Sequence, residues 1–388
     1  MDHLYCSVCG SRLDDLLYRS PGGRSLTSLS RIHPSAAAVY VCHDCGHLQT
    51  QTIANIDTYY DAQYDILVDS EEEDQIYEVH EGKTIYRTEH QLKILLEKLQ
   101  FKPHIDLLDY GCAKSSTVRA LCAASPNITP YLFDVSTRYI PFWEKFVRPE
   151  NYAINKTKPE WVSRFDVVTS FFSLEHIPTV AETMHNIVSL LKPGGVFYGV
   201  VPNVFSNVAD FIVVDHCNHF TPTSLKRLLA DAGLELQEID EFAHRGALVI
   251  IARKIMSSAA VALNVLPSEI QHTCAELSSL ADFWRSAAAR VRAYEAGLTE
   301  EDKAAVYGAG FYGAFISANL AEPGRITCYL DQNPYLQGKE FNGCPILAPS
   351  ELPENVKNML VGLNPAHSRA IISSIPALVR RKLTYFYL

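Results

Sequence analysis

Short apolar runs alternate with helical segments through the middle of the chain, and this alternation limits the fold more than any other feature of the sequence. Strands are predicted over residues 105–111, 131–134, 165–170 and 196–201, with helices at 90–99 and 116–121. Such alternation predicts a parallel, doubly wound α/β sheet. A sheet of this kind binds its ligands at the carboxyl ends of the strands, near the switch in strand order.

Four cysteines near the N-terminus form two Cys-x-x-Cys units, and each unit is followed directly by glycine. The thiols are those of Cys6, Cys9, Cys42 and Cys45. The doubled spacing predicts a zinc ribbon in which four thiolates surround Zn²⁺. A closed four-thiolate site leaves no open position on the metal, so the predicted role is structural. His43 and His47 are alternative ligands, and four unrelated buried thiols are the alternative interpretation.

Composition excludes several classes of protein. The chain has 388 residues and a formal net charge of −10, which predicts two or three domains and argues against a general nucleic-acid or anionic-membrane binder. No apolar run approaches the ~20 residues of a membrane span. The first residues lack the basic start and apolar core of a signal peptide, so we expect a cytoplasmic protein with reduced thiols and no membrane partner.

An aromatic and acidic stretch follows the cysteines. The acidic run at residues 70–74 predicts a solvated helix start, because carboxylates favour helix N-termini. Tyr59, Tyr60 and Tyr64 are predicted to be packing residues, and whether they close over a substrate is left open.

Five blocks in the central segment occur in an order that resembles the class I S-adenosylmethionine-dependent methyltransferases. They are Leu108-Asp109-Tyr110-Gly111-Cys112, Asp134, Phe165-Asp166-Val167-Val168, Leu174-Glu175-His176 and Leu191-Lys192-Pro193-Gly194-Gly195. The resemblance implies a cofactor site made of Asp109, Gly111, Cys112, Ala113, Asp134 and Ser173. Gly111 lets the backbone approach the cofactor, and Asp134 accepts hydrogen bonds from ribose hydroxyls. The second and third glycines usual in the family are missing here.

A second glycine turn lies near the C-terminus. Gly308-Ala309-Gly310 follows a predicted strand, Asp331 ends the next strand, and residues 255–301 are expected to form connecting helices. A zinc ribbon, a Rossmann-like methyltransferase domain and a second Rossmann-like domain, in that order, resemble the sugar C-methyltransferases. The resemblance implies domains at residues 1–75, 76–254 and 255–388. It also implies a nucleotide-linked 4-keto-deoxysugar substrate, held between the middle and C-terminal domains.

The catalytic candidates lie in the segment from Asp215 to Phe220. The family pattern here is roughly Tyr-His-Glu-His-Phe, which makes His219 the implied general base and places His216 and Asn218 where the family has Tyr and Glu. Asp215 is a candidate to replace the missing carboxylate. In the implied reaction the base removes the proton beside the ketone, and the resulting enolate carbon takes the methyl group. His176 either holds the ketone oxygen or is structural, while His244, Asn203 and Asn207 are further candidates for the pocket.

Other functions remain open on the sequence alone. If the departures from the family pattern at His216 and Asn218 change the methyl-transfer chemistry, the methyl group goes to an oxygen atom instead of carbon. The Gly308 turn with Asp331 can also bind NAD, which makes the chain an oxidoreductase or a bifunctional enzyme, or a UDP-type nucleotide. A methyltransferase-like binding module without turnover is a third alternative. The sugar, the nucleotide and the oligomeric state are not specified.

Overall fold

The computed structural model describes residues 4–53, 70, 73–80, 83–256 and 261–388, so Tyr59, Tyr60 and Tyr64 lie outside the described residues. The chain forms two compact units, each assembled from separate segments. The first comprises Met1–Asp15, Val41–Val208 and Cys217–Cys274, and the second comprises Leu16–Tyr40, Ala209–His216 and Ala275–Leu388. The division into functional domains at residues 75/76 and 254/255 stays a prediction.

The N-terminal strands are short, as expected of a region organised around turns. They are β1 Leu4–Tyr5, β2 Arg12–Leu13, β3 Asp15–Arg19, β4 Ser25–Leu26, β5 Ile32–His33, β6 Ala38–Val41 and β7 Leu48–Thr50. β1 pairs with β2 and β4 pairs with β5, both antiparallel.

A seven-stranded sheet dominates the first unit. The elements from residue 76 to 254 are β8 Ile76–His80, β9 Lys83–Tyr86, α1 Arg87–Lys98, β10 Ile105–Tyr110, α2 Ser116–Ala124, β11 Ile128–Asp134, α3 Ile140–Trp143, β12 Tyr152–Ile154, β13 Phe165–Phe171, α4 Val180–Leu190, β14 Leu191–Pro202, β15 Asn218–His219, α5 Pro222–Asp231, β16 Leu234–Asp240 and β17 Ala247–Lys254. The strand order is β12-β11-β10-β13-β14-β17-β16. The order of consecutive strands reverses between β10 and β13, which makes their carboxyl ends the expected ligand crevice.

The prediction of a parallel sheet holds for β10 to β14, and β16 runs in the same direction, but the prediction is wrong for β17. β17 runs antiparallel to both β14 and β16. The reason is the short connection at residues 241–246, because two strands joined without a crossover helix pair antiparallel.

The predicted Lys192–Gly195 turn lies inside β14. Leu191 pairs with Phe165 and Val196 pairs with Val167, so the four residues between bulge out of the ladder.

Helices α1 and α2 cover one face of this sheet. Leu95 of α1 and Leu121 of α2 are fully buried in one cluster with Leu107 of β10 and Val249 of β17. The central strands are covered on both faces, which explains why their sequences are continuous apolar runs rather than alternating ones.

The acidic run at residues 70–74 does not start a helix within the described residues. Residues 73–75 have no regular secondary structure, and β8 follows them. Asp74 still caps a helix, but through a tertiary contact. Its Oδ2 accepts a hydrogen bond from the backbone N–H of Thr88, in the first turn of α1, at 3.2 Å. The carboxylate therefore has its expected partner, a helix N-terminus, fourteen positions further along the chain.

The second unit contains a parallel sheet of its own. After the 30-residue helix α6 Pro267–Ala296 come β18 Ala304–Tyr307, α7 Phe311–Asn319, β19 Ile326–Leu330, β20 Glu340–Phe341, β21 Cys344–Leu347, β22 Asn358–Val361, α8 Ser368–Ser373, α9 Pro376–Val379 and β23 Thr384–Tyr387. The order is β20-β21-β19-β18-β22-β23, with only the edge strand β20 antiparallel to its neighbour. Neither α6 nor any other helix in the described part of the chain is both long and apolar enough to cross a membrane.

Candidate functional site

The loop after β10 turns tightly beneath the end of β11. The backbone N–H groups of Gly111 and Cys112 both donate to the carbonyl of Phe133, at 2.8 and 3.0 Å. Gly111 adopts a φ of +69°, and a Cβ added to it would lie 1.9 Å from Oγ of Ser173. Only glycine fits this position, because a side chain would be strained and would collide with Ser173.

Asp134 fastens the same loop from the end of β11. Its Oδ2 accepts from the backbone N–H of Ala113 at 2.7 Å, and its Oδ1 accepts from the N–H of Ser136 at 2.9 Å. Burial raises the pKa of Asp134. Each carboxylate oxygen has a second lone pair, so Asp134 can still accept hydrogen bonds from two neighbouring hydroxyls.

Two residues replace the missing glycines and take up glycine-like conformations. Ala113 has a φ of +44° and Ser115 a φ of +56°, both in the left-handed region. The Ser115 hydroxyl compensates in part by donating to Oδ2 of Asp109 at 2.6 Å. The family's turn is therefore kept with two strained residues, at a cost of about 1–2 kcal/mol each.

Asp109 stabilises this loop from inside the sheet. It is 2% exposed, and its Oδ1 accepts a second hydrogen bond from the Thr169 hydroxyl at 2.9 Å. Burial raises the pKa of Asp109 to about 7, although its two hydroxyl partners act in the opposite direction. Cys112 is buried in a neighbouring apolar cluster with Leu132 and Trp143. Asp109 and Cys112 thus support the loop from its buried side. Gly111 and Ala113 are partly exposed, the buried Asp134 holds the loop, and Ser173 lies alongside.

The cysteines come together as predicted. Their four Sγ atoms lie within 4.8 Å of one another, with Cys6 to Cys45 at 3.7 Å and Cys9 to Cys42 at 3.5 Å. Four thiolates around Zn²⁺ at 2.3 Å would be about 3.8 Å apart, so the spacing fits a tetrahedral zinc site. Both turns also share one pattern, because the N–H of Gly10 bonds to the carbonyl of Cys6 and that of Gly46 to Cys42.

The two histidines considered as ligands have other partners. Nε2 of the exposed His43 lies 2.9 Å from Oδ2 of Asp15. Nε2 of His47 lies 3.2 Å from both Oγ of Ser7 and Oδ1 of Asn218. Within the described residues, the group of close donors at this site consists of the four cysteines.

Asn218, the residue in place of the family's glutamate, cross-links two segments of the first unit. Its Oδ1 accepts from the Ser7 hydroxyl at 2.6 Å, and Ser7 lies between Cys6 and Cys9. Its Nδ2 donates to the carbonyls of Leu174 and Ile177, at 3.0 and 2.8 Å. The asparagine thereby connects the cysteine turn to the loop that carries His176, using both halves of its amide.

His219 lies beside Asn218 in β15 and is fully buried. β15 pairs antiparallel with β7, and Nε2 of His219 lies 2.7 Å from Oγ1 of Thr50. Ser7 and Thr50 were missed by sequence reasoning, since their partners lie 211 and 169 positions away and neither residue belongs to a motif. His176, partly buried, ends a single 3₁₀ turn after β13.

Asp215 and His216 belong to the second unit and have firm partners there. Both carboxylate oxygens of Asp215 accept from Ser28, from its N–H at 2.7 Å and its hydroxyl at 2.6 Å. Nδ1 of His216 lies 2.5 Å from Oδ1 of the buried Asp210. Asp210 therefore supplies a carboxylate to a histidine of this segment, a partner that the sequence did not suggest.

The glycine turn of the second unit repeats the geometry of the first. Gly308 donates to the carbonyl of Leu330 at 2.8 Å, as Gly111 does to Phe133. Oδ2 of Asp331 accepts from the N–H of Ala309 at 3.0 Å, and Oδ1 accepts from Asn333 at 2.8 Å. Asp331 thus holds its loop as Asp134 holds the loop after β10, at the point where strand order reverses between β18 and β22.

Comparison with known proteins finds a match for the segment that contains the loop after β10. Residues 82–239 match the family model described as a methyltransferase domain. The ubiquinone biosynthesis O-methyltransferase of Nitrosospira multiformis is 24% identical over 155 residues, which are 34% of this chain and 64% of that protein. This chain therefore spans about two thirds of the length of that relative.

Solved structures with a similar fold include two methyltransferases. A SAM-dependent methyltransferase from Aquifex aeolicus shares 15% identity, with 42% of this chain and 89% of that chain covered and a TM-score of 0.36. The CurJ carbon methyltransferase shares 19% identity, with 41% and 51% covered and a TM-score of 0.33. The loop after β10 lies inside the matched segment, so the first unit contains a methyltransferase domain of the kind that the family model describes.

Proposed function

We propose that this chain transfers a methyl group from S-adenosylmethionine to a carbon atom of a nucleotide-linked keto-deoxysugar. The observation that carries the methyl-transfer part is the loop Gly111–Ser115 held by Asp134, inside a segment that matches a methyltransferase model. S-adenosylmethionine, when bound, supplies an electrophilic methyl group. Gly111 gives the cofactor room, and Asp134 accepts hydrogen bonds from its ribose hydroxyls.

The acceptor chemistry is assigned to His219. A carbon beside a ketone loses its proton only when a base is close and the enolate oxygen is stabilised. His219 can act as that base through Nδ1 if its Nε2–H donates to Thr50, a contact of 2.7 Å. Asn218 brings an amide rather than a carboxylate to this position of the segment, and it fixes the backbone beside His176. His176 is proposed to hold the ketone oxygen.

The nucleotide of the acceptor is assigned to the second unit. Its glycine turn and Asp331 repeat the hydrogen bonds of the cofactor loop, and such loops bind ribose and phosphate groups. We further propose that the four cysteines bind one structural Zn²⁺. Zinc then fixes Ser7, and through Ser7 the position of Asn218.

Calorimetric titration with S-adenosylmethionine, S-adenosylhomocysteine, NAD⁺ and a thymidine diphosphate keto-deoxysugar tests the assignment. We expect micromolar cofactor affinity, about −8 kcal/mol, that Asp134→Ala weakens at least tenfold. Asp331→Ala is the matched control, because it removes the same pair of backbone contacts in the other unit and should leave that affinity unchanged while it weakens binding of the sugar nucleotide. Binding of NAD⁺ alone, or of none of these compounds, overturns the proposal.

Analysis of the reaction product identifies the atom that is methylated. The relative from Nitrosospira multiformis is an O-methyltransferase, which makes oxygen the competing acceptor. Turnover with cofactor carrying a carbon-13 methyl group distinguishes the two, because carbon-bound and oxygen-bound methyl groups have different carbon chemical shifts. A methyl ether in the product would refute carbon transfer and leave the cofactor assignment intact.

A further inference from the structure

His244 lies at the carboxyl edge of the first unit's sheet, in the connection between β16 and β17. Its carbonyl accepts from the N–H of Ala247, the first residue of β17, which pairs with Pro202 at the end of β14. Its ring packs edge-on against Phe172, with ring centroids 5.3 Å apart. Phe172 directly precedes Ser173, which lies against Gly111 of the cofactor loop. Phe172 alone therefore separates the His244 ring from Ser173, a residue of the predicted cofactor site.

The imidazole of His244 is held firmly but has one unused nitrogen. Nδ1 lies 3.2 Å from the carbonyl of Arg245, which makes Nδ1 the protonated nitrogen. The ring is 6% exposed and packs edge-on against Tyr77 and His90 as well as Phe172. Nε2 is buried and has no hydrogen-bond partner among the described residues. A buried polar atom without a partner costs about 1–3 kcal/mol, so this arrangement needs an explanation.

The surroundings of His244 keep it uncharged. Burial lowers the pKa of His244 to about 4, with further lowering from Arg87, His90 and Arg245. The guanidinium of Arg87 stands 3.9 Å above the Phe172 ring, and the exposed Arg245 lies over the Tyr77 ring. A neutral imidazole protonated at Nδ1 has a lone pair at Nε2, and its natural partner is a hydroxyl donor.

His90, which packs against His244, provides an example of a histidine with a structural role. His90 stacks on Tyr77 at 3.8 Å, and its Nε2 lies 2.9 Å from the carbonyl of Ala243, so it anchors the backbone of this connection. His244 makes no comparable anchor through Nε2 within the described residues. Phenylalanine at residue 244 would keep a ring at this place and lose the contact between Nδ1 and the Arg245 carbonyl, which leaves Nε2 as the feature without a structural explanation.

We propose that Nε2 of His244 accepts a hydrogen bond from a hydroxyl group of the methyl acceptor and so selects acceptors that carry this hydroxyl. The inference rests on the proposed methyl transfer and deepens it, because it assigns a substrate-recognition residue on the sheet edge that holds the cofactor loop. It assigns no proton transfer to His244, since a base of such low basicity would be a poor proton acceptor at neutral pH.

The test compares His244→Phe and His244→Gln with the unchanged protein, using S-adenosylmethionine and thymidine diphosphate 4-keto-6-deoxyglucose. His244→Phe should lower kcat/KM about tenfold, mainly through KM, which corresponds to about 1.4 kcal/mol for one lost hydrogen bond. Glutamine can place an amide oxygen near the position of Nε2 and should restore most of the loss. Affinity for S-adenosylhomocysteine should not fall, because His244 lies outside the cofactor loop. The melting temperature should change little, because removal of the unpartnered Nε2 offsets the loss of the single hydrogen bond from Nδ1 to the Arg245 carbonyl. His185→Phe, on the exposed side of α4, is the control.

The outcomes separate this inference from the proposed function. No turnover by the unchanged protein defeats the proposed function and this inference together. Turnover that His244→Phe leaves unaltered defeats the inference alone. A melting temperature and cofactor affinity that fall together with activity show a structural role and also refute it. If His244→Phe fails to fold, a deoxy acceptor is compared with the hydroxylated one in the unchanged protein and in His244→Gln. A KM that rises in both proteins when the hydroxyl is absent supports recognition, and a KM that does not change refutes it.

Discussion

Gly111→Ala tests the geometry of the cofactor loop most directly. An alanine would have to adopt a φ of +69°, and its Cβ would lie 1.9 Å from Oγ and 2.6 Å from Cβ of Ser173. The left-handed conformation costs about 1–2 kcal/mol. Relief of the collision with Ser173 costs a further 1–3 kcal/mol or so. The lower entropy of the unfolded alanine chain returns about 0.5–1 kcal/mol, so we expect a net loss of roughly 1–4 kcal/mol.

A double-mutant cycle with Ser173→Gly separates the two costs. The glycine removes both atoms that the new Cβ meets, so the double variant should recover the packing part of the loss and keep the conformational part. Urea denaturation followed by tryptophan fluorescence measures the free energies, since the buried Trp143 and Trp161 both lie in the first unit and the Trp143 indole donates to the Ala113 carbonyl at 2.7 Å. If Gly111→Ala stays within about 0.5 kcal/mol of the unchanged protein, or Ser173→Gly rescues nothing, the described close approach is wrong.

Two further predictions concern buried groups. Because the pKa of Asp109 is raised to about 7 in the folded protein, its protonated form favours folding, and its contribution should fall as pH rises between about 4 and 7. Asp109→Asn should remove about 2 kcal/mol of this pH dependence between pH 5.5 and 7, and unfolding free energies that vary with pH identically in both proteins would contradict the assignment. Cys42→Ser should abolish stoichiometric zinc binding and speed amide hydrogen exchange at residues 217–221, whose Asn218 bonds to Ser7. Zinc analysis and mass spectrometry measure both effects, and unchanged exchange in zinc-free protein would show that the metal does not support this segment.

The sequence predicted the elements that follow from local pattern. β10, β11, β13, α1 and α2 lie where apolar runs and helical spacing predicted them, and the four cysteines meet as their spacing required. The direction of each strand was harder to predict from the sequence. Nothing local to β17 distinguishes an antiparallel strand from a parallel one, since direction follows from how the connections cross the sheet.

The departures from the family motifs were visible in the sequence, but their meaning was not. The absence of the second and third glycines was visible, and the structure adds that Ala113 and Ser115 adopt positive φ in their place. From the sequence, Asn218 was noted only as lacking the carboxylate of a glutamate. The structure shows that its Nδ2 donates hydrogen bonds to the backbone carbonyls of Leu174 and Ile177. A side chain's role depends on its partners, and these partners are more than forty residues away along the chain.

The sequence by itself determined the α/β class, the cysteine cluster, and the glycine turns with an aspartate after the next strand. Each of these depends on contacts between neighbours or on a fixed spacing, which a single chain displays directly. Only the tertiary structure decided that Asp134 and Asp331 hold their loops by the same bonds, that Ser7 holds Asn218, and that Nε2 of His244 is buried beside Phe172. Hydrogen bonds and burial join atoms by distance in space, and folding brings those atoms together regardless of their separation in the chain.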